Sequence, residues 1–157
     1  RRMVFPCMFL IFKFINCHPV TDNHYFLVNF RDGGSAYDAL KATTFFRARH
    51  NEGDTISSVA YVTSYDQAQG TAFIRMNGGV GNGNDECCSM ILTIHEPASS
   101  TFVKHYTFTG NNYQDNSGSE NLFSAGYFNT TTALTRIQFK MGSGNIDSGT
   151  IKMYGIS

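Results

Sequence analysis

Apolar and polar side chains alternate with a period of two through most of this chain, the spacing of strands buried on one face. In Arg136-Ile137-Gln138-Phe139-Lys140-Met141 the apolar residues fall on every second position, and Thr101 to Phe108 and Thr150-Ile151-Lys152-Met153-Tyr154 repeat the rhythm. The same reading predicts strands over Phe9 to Asn16, His24 to Phe30, Thr43 to His50, Thr71 to Met76, Cys88 to His95 and Leu122 to Phe128. Ser58 to Val62 is short enough to be strand or loop, and Tyr65 to Gln69 is the one stretch that suits a helical turn.

Turn-forming residues separate these runs. Cys17 to Asn23, with Pro19 and the Asp22-Asn23 pair, ends the first strand, and Arg31-Asp32-Gly33-Gly34-Ser35 is a tight turn. Asn77 to Glu86 is glycine-rich and is expected to be a mobile loop, while Gly110 to Asn121 reads as a long exposed one. Glu96 to Ser100 should return the chain so that Thr101 to Phe108 lies antiparallel beside Cys88 to His95. Gly142 to Asn145 and Ser148-Gly149 suggest that the last two strands form a closing hairpin, the final one paired inside a sheet.

A turn every ten residues or so, with no long amphipathic helix, points to an all-β protein. The fold expected is an antiparallel β-sandwich of jelly-roll type with about nine or ten short strands, in a single domain over residues 1–157. Arg1-Arg2 followed by Met3 to Leu10 resembles the start of a secretory signal. Pro6 and Lys13 interrupt it, no cleavage site follows, and the run is too short to span a bilayer. The lack of an initiating Met suggests that residues 1–11 continue a longer chain.

Composition narrows the function. Lys plus Arg and Asp plus Glu balance at 12 each, which leaves no overall basic field to attract nucleic acid or an anionic membrane. The cysteines, at 7, 17, 87 and 88, lack metal-ligand spacing and read as free thiols; in a strand Cys87 and Cys88 would face opposite sides. The Gly79-Val80-Gly81-Asn82-Gly83 stretch has neither phosphate-loop spacing nor a helix after it. Asn82, Asn84, Asp85 and Glu86 lack the spacing of a calcium loop. His95 and His105 should meet across neighbouring strands, where cross-strand packing is favoured over metal binding. No nucleophile elbow or cysteine–histidine pair is evident, so catalytic, cofactor and metal residues are all expected to be none. Tyr113, Tyr127, Asn111 and Asn112 are the residues singled out for ligand or partner contact, able to stack on and hydrogen-bond a sugar.

Several blocks resemble a family. Phe14-Ile15-Asn16-Cys17-His18-Pro19-Val20-Thr21-Asp22, Thr43 to Ala48, Ser100 to His105, Ala125 to Thr131 and, most specifically, Ser143-Gly144-Asn145-Ile146-Asp147-Ser148-Gly149-Thr150-Ile151-Lys152-Met153-Tyr154-Gly155-Ile156 look like small virion structural proteins of marine tailed phages, the cyanophage and pelagiphage type. The resemblance runs in blocks from about Phe12 to the C-terminus, with Asn77 to Met90 only loosely similar. It implies a particle component without catalytic residues, located in the virion as capsid decoration or as part of a tail or fibre. Its expected partners are copies of itself, as a trimer, and other virion proteins. The alternative is a receptor- or carbohydrate-binding module facing a host-surface glycan.

Overall fold

The computed structural model describes residues 7–157; the signal-like start at Arg1 to Pro6 lies outside them. Eleven strands follow one another: β1 (Phe9–Pro19), β2 (Phe26–Arg31), β3 (Lys41–Asn51), β4 (Ser57–Tyr61), β5 (Gln67–Gly70), β6 (Ile74–Arg75), β7 (Cys88–His95), β8 (Lys104–Gln114), β9 (Gly118–Phe128), β10 (Arg136–Met141) and β11 (Ile146–Ile156). They form two antiparallel sheets. The large one runs β11-β1-β7-β8-β9-β3-β4, with β5 also paired to β3, and the small one runs β10-β2-β6. The chain passes repeatedly from one sheet to the other, and the all-β antiparallel sandwich expected from the alternation is what forms, with its strands divided unequally.

Period two explains the layering. Leu10, Phe12 and Phe14 of β1, Met90, Leu92 and Ile94 of β7, Tyr106 and Phe108 of β8 and Leu122 of β9 all point to the small sheet and are buried. The small sheet answers with Phe26, Val28 and Phe30 of β2 and with Phe139 of β10. Phe139 meets the Phe14 ring edge-on at 4.9 Å and the Phe12 ring at 5.1 Å. Each such side chain contributes on the order of 1.5–3 kcal/mol by leaving water. Three strands thus cover the inner face of a much wider sheet. At its margin β11 buries no side chain on either face.

Four local expectations are corrected. β10 and β11 do not make a hairpin: β10 pairs with β2, β11 pairs with β1, and Gly142 to Asn145 carries the chain between sheets. The last strand is paired within a sheet, as expected, and stands at the edge of that sheet. Gly110 to Asn121 is not a loop either, since β8 and β9 pair without a break from Lys104↔Phe128 to Gln114↔Gly118 around the turn Asp115-Asn116-Ser117. The alternation continues there, but Asn112, Gln114 and Glu120 occupy the inward positions, so it does not read as apolar.

The third correction concerns Asn77 to Glu86, whose first half is buried rather than mobile. Val80 bridges to both His24 and Gln114, and the Gly78 amide donates to Glu120 Oε2 at 3.0 Å. A Cβ on Gly78 would collide with the Glu120 carboxylate, so this glycine serves close approach, not freedom. Fourth, Tyr65 to Gln69 is no helical turn. The Gln67 amide donates to Thr43 Oγ1 at 2.9 Å, and β5 extends along β3. In addition β1 runs past Cys17 to Pro19 through a bulge opposite β11, where Asn16 has φ 49° and Gly149 φ 119°.

Candidate interaction face

The outer face of the large sheet carries no second layer among the described residues. Strand register arranges its side chains in rows across the sheet. One row reads Tyr61, Phe46, Phe123, Thr109, Ile91, Lys13, Lys152, from β4 to β11. The next reads Thr44, Ala125, Thr107, Thr93, Ile11, Tyr154. A third joins Ala42, Tyr127 and His105 at one end to His95, Phe9 and Ile156 at the other. These three rows contain no carboxylate. Lys13 and Lys152 are their only ammonium groups.

At the centre the Phe46 and Phe123 rings stack in parallel, centroids 4.9 Å apart and planes 11° from coplanar, although Phe46 is 44% exposed. Ile91, Thr107 and Thr109 border the same shallow hollow, about 400 Å³ in volume. Tyr61, 51% exposed, extends the apolar strip onto β4, with its hydroxyl donating to Asp66. An outward surface of Phe, Ile, Tyr and Thr across seven strands is unlike a scatter of single exposed apolar residues, which needs no explanation.

The residues singled out from sequence do not form one surface. Tyr127 faces His105 at one end of the β8–β9 ladder, rings 6.2 Å apart, while Tyr113 lies opposite Ser119 near the other end. Eight residues of strand separate His105 from Tyr113, roughly 27 Å at the usual rise. Asn111 is exposed and donates to Ser119 Oγ at 2.8 Å, but Asn112 is fully buried, its amide near the Gly79 carbonyl, and is corrected as a surface contact. Tyr113 donates to Glu52 Oε1 at 3.2 Å. What sequence reading missed is the Phe46–Phe123 stack, which requires the β3–β9 register that the polar run had concealed.

The cluster with most chemical potential lies at the far end of β1. His18 Nδ1 is 3.2 Å from Asp147 Oδ2, and Cys87 lines the same hollow. His18 Nε2, however, lies 3.0 Å from the Gly83 carbonyl, an acceptor, so that nitrogen donates and offers no lone pair to activate a thiol. Cys17 and Cys88 are opposed across β1 and β7 and sealed from solvent. Burial pushes both thiols up, Cys88 well above the usual range, which disfavours the nucleophilic thiolate. Cys88, the first residue of β7, turns inward, while Cys87, which precedes the strand, is half-buried.

Two arginines are engaged within the fold. Arg47 Nη1 pairs with the buried Glu120 at 2.7 Å. The Arg75 guanidinium lies between the Tyr25 and Tyr65 rings, 3.6 and 3.8 Å from their centroids, and donates to the Asn77 carbonyl. His95 packs edge-on against Phe9 at 5.2 Å, so its ring, like that of His105, is engaged with an aromatic neighbour. Among the described residues no three His, Cys, Asp or Glu side chains converge as metal ligands.

No protein-family model, curated protein or solved structure matches the chain.

Proposed function

We propose that this protein is a non-catalytic structural component of a tailed-phage particle, a surface module of the capsid, tail or fibre that works through subunit contacts. The observation that supports it is the wide outer face of the large sheet, whose first two rows are aromatic, aliphatic or threonine apart from Lys13 and Lys152 and are free of carboxylates. A monomer in water gains nothing from such a face, whereas a repeating assembly buries it in every copy. The blocks resembling small phage virion proteins supply the particle. Its partners in this reading are copies of itself and other virion proteins.

Quantitative mass spectrometry of purified particles tests the reading. Hundreds of copies per particle would place the protein on the shell, and a few tens or fewer in the tail; absence from particles refutes it. The glycan-binding alternative has less support, because Tyr113 and Tyr127 are at opposite ends of the hairpin and Asn112 is buried. A glycan array that lights up would restore it.

A further inference from the structure

The outer face is divided into two unlike halves about β8, the central strand of the seven. On the β4 side the leading row presents the aromatic rings Tyr61, Phe46 and Phe123, and on the β11 side it presents Ile91 and the ammonium groups of Lys13 and Lys152. Thr109 lies between the halves. Neither half complements itself; each complements the other.

We infer that two copies of this chain pack these faces together about a two-fold axis running along β8, midway between the sheets. This deepens the self-association reading and rests on it. Such an axis keeps the position along each strand and reverses the order of strands, so β9 lies over β7 of the second copy, β3 over β1 and β4 over β11. Phe123 then meets Ile91, Phe46 meets Lys13 and Tyr61 meets Lys152, placing each cation over an aromatic face. The neighbouring rows fit by size, with Ala125 over Thr93, Thr44 over Ile11 and Ala42 over Phe9.

Area agrees with the partner. Seven strands about 4.8 Å apart, and four rows about 6.8 Å apart once Ala48, Asn121, Asn111 and Ser89 are counted, give roughly 800 Å² per copy. A standard stable interface buries about 800 Å² on each side. The contact is sheet on sheet in the aligned manner, with the strands of the two copies running alongside one another, inside the roughly 30° that packed sheets tolerate. It is isologous, and so pairs copies where the sequence expectation is a trimer.

Sedimentation equilibrium and site-directed cross-linking test it in the full chain, with Cys7 and Cys87 replaced by Ser. A dimer is expected at micromolar concentration, and Phe123→Lys should raise its dissociation constant at least a hundredfold while the far-ultraviolet spectrum and urea midpoint stay near those of the parent. Thr109→Cys, on the axis, should be joined to its own copy by a thiol-specific cross-linker about 5 Å long, since sheets packed about 10 Å apart hold the two positions beyond the reach of a direct disulfide. Ala125→Cys should not, but should cross-link when mixed with Thr93→Cys. A monomer at 100 µM, a trimer, or self-linking by Ala125→Cys overturns the two-fold pair. A monomer that nonetheless occurs in particles would refute the pair alone, and a dimer missing from particles would refute the virion reading alone.

Discussion

Lys41 offers the sharpest quantitative test of how the sandwich is held together. It stands on the inner face of β3 with no exposed surface, and its ammonium donates to the Ala72 carbonyl at 2.8 Å. Burial holds its pKa down to about 8, although Asp38 and Asp32 oppose the shift. From an ordinary 10.5, that is about 2.5 units, or roughly 3 kcal/mol at about 1.36 kcal/mol per unit. The unfolded chain binds the proton more tightly, so the penalty is fully present below about pH 8 and is lost as pH rises through 10.5. Lys41→Met keeps the stem and removes the charge. The Ala72 carbonyl keeps a donor, since Gln67 Nε2 lies 3.0 Å away. The variant should therefore be more stable than the parent by about 2–3 kcal/mol at pH 7, and the gap should shrink to about 1 kcal/mol at pH 10. Urea unfolding of both proteins at the two pH values reads the difference directly, and titrations common to both cancel. A gap that does not change with pH, or a variant weaker than the parent at pH 7, would refute this account.

Other expectations follow from neighbouring features. Glu120→Gln leaves Arg47 without its anion while keeping an acceptor for the Gly78 amide, and should lower stability by about 2–3 kcal/mol; a urea-measured loss below about 0.5 kcal/mol would show that the pair is neutral. Gly149→Ala puts a side chain at φ 119° and its Cβ 2.6 Å from the Cys17 Cα, so it should speed amide exchange along β11 and the end of β1 while β8 and β9 stay protected. Under native conditions an aromatic disulfide reagent should modify Cys87 well before Cys17 or Cys88, which should react only on unfolding; equal rates would contradict their burial.

The layer plan was legible wherever inward positions are apolar. Leu10, Phe12 and Phe14, or Met90, Leu92 and Ile94, announce β1 and β7, and the Pro97 turn brings β8 back as expected. The plan was illegible where the inward positions are polar. Gln114 accepts from Arg49, Glu120 accepts from Arg47 and the Gly78 amide, and Asn112 donates to the Gly79 carbonyl, partners that come from elsewhere in the chain, so no local pattern signals their burial. Glycines misled for a related reason. Gly78 and Gly79 look like freedom in one dimension and are close contacts with Glu120 and Asn23 in three. As for the candidate face, each strand shows its outward Thr or Phe plainly. That these align into rows depends on register, which long-range pairing fixes.

The exposed margin strand has a kinetic implication. β11 holds to β1 by main-chain bonds, with no side chain sunk in the core, so it can detach at far lower free energy than the sandwich needs to melt. Detachment would uncover the main-chain amides and carbonyls by which β1 holds β11, a ribbon open to any passing chain. The shelf life of this protein should accordingly be governed by how often that one ribbon is bared, and clumping should begin at temperatures where the core is still intact.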